Sequence, residues 1–176
     1  MARMKVTAVT DAHACAFLGF AKQYQKAGNL LFDRHDQMLG NPAYFLYAHT
    51  IELALKAFLR AAGLPIVTDK KRKSHHITGL YEECHALGLR IGPQDRFDIR
   101  NVIVLLEGAN QDQGLRYARG KSASFPDLSW TREAVESLLG AVEPSVKKKM
   151  ESDGIVPATP ARFDFVFSTP TRKTKA

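Results

Sequence analysis

The sequence predicts an all-α fold: an up-and-down bundle of four to five helices with an irregular C-terminal tail. Two observations lead there. Apolar residues recur at intervals of three, four and seven along most of the chain, the spacing that lines one face of a helix. Glycine and proline punctuate these segments, at Gly63 with Pro65, at Gly88, and at Gly92 with Pro93. The alternating apolar pattern of a strand stands out at Phe163, Phe165 and Phe167, close to the C-terminus. Composition agrees with a globular chain, at 45% apolar and 24% charged, and 176 residues suit one domain with an ordinary core. Residues 1–152 are assigned to the bundle, and residues 153–176 to an extended or flexible basic tail.

The first helix is expected to start near Thr10 or Asp11, whose side chains can accept hydrogen bonds from free amides. Phe17, Phe20, Ala21, Tyr24 and Leu31 then share a face, and Gly40 marks the end. Asn41 is placed as the cap of the second helix, with Pro42 in its first turn, where a missing N–H costs nothing. Tyr44, Ala48, Ile51, Leu55, Phe58, Leu59 and Ala62 form its apolar stripe, closed by Gly63. A basic loop, Val67 to Ser74, leads into a shorter third helix carrying Ile77, Leu80, Tyr81, Cys84 and Leu87, with Gly88 as a left-handed stop. The fourth runs from about Gln94 to Asn110 and buries Phe97, Val102, Ile103 and Leu106, with Leu105 a further candidate. A loop rich in glycine and serine comes next. The fifth begins near Ser129 and buries Ala134, Val135, Leu138, Leu139 and Val142. Pro144 is expected to end or kink it, with an exposed helical piece beyond.

Several classes are excluded. No apolar run approaches the roughly 18 residues that cross a bilayer. Arg3 and Lys5 precede only a mildly apolar stretch without a small-residue cleavage site, so the reading is cytoplasmic. Cys15 and Cys84 form no Cys-x-x-Cys pair and are read as buried reduced thiols. His75, His76, Cys84 and His85 lie too far apart along a helix to surround one tetrahedral ion, so no metal site is assigned. No phosphate-cradling glycine loop, dinucleotide fingerprint or hydrolase elbow is present. No residue is assigned a catalytic role, and nothing calls for a cofactor.

Net charge is +7. From Pro144 onward there are seven Lys or Arg against three Asp or Glu, and a second cluster lies at Lys70, Lys71, Arg72 and Lys73. Such concentrations attract polyanions through counterion release, and they are also common in solvated loops. Three groupings carry candidate chemistry. Arg116, Tyr117 and Arg119 could hold a phosphate between guanidinium groups and stack a base, or could plug and cap the end of the bundle. His76 opens the third helix after the basic loop, where an anion is favoured or water simply solvates the helix start. Glu52 and Lys56, four apart, form either a surface ion pair or, if the helix is buried all round, an interior polar cluster that orients His76 or Arg116.

Three motifs in order resemble the HEPN superfamily (higher eukaryotes and prokaryotes nucleotide-binding domains) over roughly Asp11 to Gly140. They are the run from Ala48 to Leu59 around Glu52-Leu53-Ala54-Leu55-Lys56-Ala57, the helix start His76-Ile77-Thr78-Gly79-Leu80, and Leu115-Arg116-Tyr117. The resemblance implies a helical bundle, often a homodimer, that binds RNA or a nucleotide and can accompany a nucleotidyltransferase-like partner, as in toxin–antitoxin pairs. Many members are metal-independent RNases that use an arginine and a histidine with four to six residues between them. This chain departs from that pattern. Arg100-Asn101 is similar to the first half of the motif, but Glu107 stands where the histidine could be. The expectation is therefore RNA or nucleotide binding through Arg116, Tyr117, Arg119, His76, Lys71 and Arg72, without the usual cleavage. Two alternatives remain: a homo-dimerising or partner-docking bundle that uses the alternating phenylalanines, and an atypical RNase with Arg100 or Arg116 on the phosphate and His76 as base.

Overall fold

A computed structural model describes residues 13–34, 36–64, 76–92, 99–110, 115 and 124–155. Among these the fold is an all-α bundle of five helices: α1 (Ala14–Phe32), α2 (Gly40–Ala61), α3 (Ile77–Ala86), α4 (Ile99–Ala109) and α5 (Leu128–Ser152). No helix of the described residues is long and apolar enough to cross a membrane.

Side-chain contacts fix the directions of the helices. Tyr47 bonds to Asn29 and His49 meets Tyr24, so α1 and α2 run antiparallel. Arg132 reaches Asp33 while Glu143 pairs with Lys22, which sets α5 antiparallel to α1. His76 contacts Glu107 and Glu82 contacts Arg100, so α3 and α4 form a second antiparallel hairpin. The core lies between α1, α2 and α5, and α3 with α4 closes its remaining side. Helix α2 is central, with every residue from Thr50 to Leu59 buried. That burial on all sides explains the breadth of its apolar stripe in the sequence.

Four boundaries differ from expectation, the first being the start of α1, which lies at Ala14 with His13 as the cap residue and not near Thr10 or Asp11. Helix α1 ends at Phe32, not near Gly40. Beyond it Asp33, Arg34, His35 and Asp36 offer no apolar face to bury, although no glycine or proline announces the stop. Asp36 then accepts a bond from the Met38 amide (2.9 Å), and a 3₁₀ turn, Gln37–Leu39, runs straight into α2. Helix α2 therefore starts earlier than expected, with Leu39 rather than Asn41 at its cap position and Pro42 still in the first turn. At its other end Gly63, at φ +82°, turns the chain out of the helix; Gly88 does the same after α3 at φ +94°.

The last difference is Pro144, which does not end the helix: α5 runs unbroken over 25 residues, Leu128–Ser152, and buries Val146 beyond the proline. The amide that proline lacks would have bonded to the Gly140 carbonyl. Gly140 and Pro144 are both exposed, and on that face water can take the carbonyl. Val142 and Val146, on the opposite face, are fully buried and hold both halves against the bundle.

Tyr44 ties the entry of α5 to α2: its hydroxyl donates to the Pro126 carbonyl (2.5 Å) and its ring stacks on Phe125. One residue on, Asp127 caps α5. Its carboxylate accepts from the Ser129 amide (2.7 Å), the Trp130 amide and the Ser129 hydroxyl. These bonds hold the Asp127 carboxyl below its usual 3.8, the Ser129 hydroxyl contributing most. Asp127→Ala is expected to cost about 1 kcal/mol at neutral pH, the ordinary value of such a cap. Because the folded carboxyl titrates below the unfolded one, the contribution is complete above pH 3.8 and fades as the pH falls through the folded value. Guanidinium midpoints of wild type and variant should thus converge on acidification; a gap that persists in strong acid would mean the carboxylate is not the cap.

Of the two thiols, Cys84 is fully buried and donates to the Leu55 carbonyl (3.5 Å), and burial pushes its pKa up to about 12. Cys15 is only partly buried, against the expectation that both would be internal.

Candidate functional site

The described part of the candidate site is built around the start of α3 and the last turns of α4. His76 is the cap residue of α3, in an extended backbone conformation, and its own side chain makes no capping bond. The capping is done from α4. Glu107 places Oε1 2.6 Å from His76 Nδ1, while its Oε2 accepts from the Thr78 amide at 3.3 Å. One carboxylate thus holds the imidazole and satisfies a free amide of the first turn of α3. The two helix ends are in direct contact.

One turn beyond Glu107, on the same face of α4, the buried side-chain oxygen of Asn110 has no hydrogen-bond partner among the described residues. Leu115, five residues on, is anchored in the core. Two turns before Glu107, Arg100 pairs with Glu82 at 2.8 Å, an exposed ion pair across the same hairpin.

A second polar cluster lies on α2. Glu52 and Lys56 are each only 8% exposed, and Lys56 Nζ donates to Glu52 Oε1 at 2.5 Å. The pair is interior, not a surface pair, because α2 is surrounded by its neighbours over this stretch. The other Glu52 oxygen faces His49 Nδ1 at 3.6 Å. The His49 ring meets Tyr24 edge-on, with centroids 4.5 Å apart, and lies parallel to Phe45. A relay of polar groups therefore runs along α2 from a half-buried imidazole to a buried ammonium.

Of the residues singled out in the sequence, His76, Glu52 and Lys56 are described. Arg116, Tyr117, Arg119, Lys71 and Arg72 lie outside the described residues, as do Phe163, Phe165 and Phe167. Glu107 was visible in the sequence as the residue replacing a histidine, but not as the partner of one. Its signal was a single carboxylate closing the apolar run Val102 to Leu106. His49 belongs to the α2 motif, yet nothing in the spacing marked it as a neighbour of Tyr24.

No family model matches the chain, and neither a curated protein nor a solved structure matches it.

Proposed function

We propose that this protein is a HEPN-like module that binds single-stranded RNA or a nucleotide at the end of the α3–α4 hairpin. The observation that carries the reading is the contact between His76 and Glu107. It joins the start of α3 to the end of α4; in the sequence Lys71 and Arg72 stand five and four positions before His76, and Arg116, Tyr117 and Arg119 six to nine positions after Asn110. Guanidinium groups suit phosphate bidentately, and a phenol ring offers a stacking platform for a base. The order of the three sequence motifs and the helical bundle support the same reading. The chain keeps no arginine–histidine pair at the spacing of RNA-cleaving members, so binding without the usual cleavage is the function proposed.

Electrophoretic mobility shift with a single-stranded RNA oligonucleotide, at low and at physiological salt, tests it. Binding at low salt that weakens as salt rises is the expected result. Arg116→Ala and Arg119→Ala should each weaken it by about tenfold or more, the usual worth of a charged hydrogen bond. Absence of binding at low salt, or binding untouched by both substitutions, overturns the proposal.

A further inference from the structure

Glu107 decides how the His76 imidazole can be used. Nδ1 and a carboxylate oxygen 2.6 Å apart need a proton between them, because two lone pairs at that distance repel. The proton therefore sits on Nδ1, and in the neutral ring Nε2 is left as a lone-pair acceptor. Glu107 is committed on both oxygens, since the second takes the Thr78 amide. Its side chain is 17% exposed where the imidazole is 44% exposed, so a covered anchor stands behind an open ring.

An acceptor nitrogen is a poor partner for phosphate oxygens, which are acceptors themselves. The sugar–phosphate backbone of a nucleic acid has one donor to offer, the ribose 2′-hydroxyl, and DNA lacks it. We infer that the Glu107–His76 pair reads that hydroxyl: Nε2 accepts its hydrogen bond, and Glu107 is the positioning residue that fixes the ring nitrogen to be used. The pair thereby makes the site selective for RNA over DNA. This deepens the binding reading above and rests on it.

Fluorescence anisotropy with one sequence of adenines and cytosines, prepared as RNA and as DNA, tests the assignment. Wild type should bind the RNA about three- to tenfold more tightly, the worth of one hydrogen bond. His76→Ala and Glu107→Ala should weaken RNA binding to the DNA level and leave DNA binding unchanged, whereas Arg116→Ala weakens both. Glu107→Gln has one acceptor oxygen for two donors and should fall between. Nitrogen-15 spectra of the imidazole should show Nδ1 protonated in wild type and a mixture of tautomers in Glu107→Ala, a change that a purely structural role would not produce. Equal affinity of wild type for RNA and DNA overturns the inference while the nucleic-acid reading stands. So does a preference that survives in folded Glu107→Ala, or a loss that falls equally on both strands. Failure to bind either strand at low salt overturns the underlying reading instead.

Discussion

Replacing Glu52 with leucine is expected to destabilise the bundle by about 3 kcal/mol or more, the usual cost of removing one partner of a buried ion pair. Lys56 is 8% exposed and its ammonium donates to Glu52 Oε1. Without that carboxylate the ammonium stays inside without its counter-charge, or drags part of α2 towards water. The expected behaviour of the double variant is opposite in sense. Glu52→Leu with Lys56→Met replaces both charges with apolar groups of similar length, and such exchanges are commonly neutral or stabilising. Most of the loss should therefore be recovered, giving a large coupling in a double-mutant cycle measured from guanidinium midpoints. Additive losses, or a single-variant cost under about 1 kcal/mol, the size of a surface pair, would show that the pair behaves as a solvated one.

Tyr47→Ala should cost a comparable 3–5 kcal/mol, roughly what removal of a large buried ring costs. Tyr47 is fully buried, and its hydroxyl donates to Asn29 Oδ1 at 2.9 Å. Burial pushes the phenol up to about 12. The ring lies against Gly28 so closely that a Cβ there would sit 2.8 Å from Tyr47 Cε1. This contact makes a reciprocal expectation. In the wild-type background Gly28→Ala is destabilising, by about 1–3 kcal/mol, because the ring has nowhere to go. In the Tyr47→Ala background the same methyl enters vacated space and gains the helical preference of alanine, about 0.5–1 kcal/mol. A change of sign between the two backgrounds, read from thermal or denaturant unfolding, checks the packing of α1 on α2. The same sign in both would mean that α1 and α2 approach less closely.

The existence and type of all five helices were legible because each buries a face with helical spacing and glycine or proline stands between most of them. Gly63 and Gly88 stop helices where the sequence placed the stops. The hidden features depend on tertiary contact. The end of α1 is set by a run of charged residues with nothing to bury. The continuation of α5 through Pro144 is set by Val146 on the far face, which no local rule around proline reports. The candidate site was partly legible in the same way. His76 was recognisable as the residue opening a helix after a basic loop, but the carboxylate that holds it comes from 31 positions later in the chain. Spacing alone left Glu52 and Lys56 open between a surface pair and an interior one; only the packing of neighbouring helices on all sides of α2 makes them interior.

Glu107 also bears on the order in which the molecule assembles. Helix α3 has ten residues, short of the roughly 12–15 at which an isolated helix becomes even marginally stable in water. Its first turn is completed by an oxygen borrowed from α4, so that turn depends on α4 being in place. The amide protons of the first turn of α3 are therefore expected to lose protection against solvent exchange when the end of α4 opens.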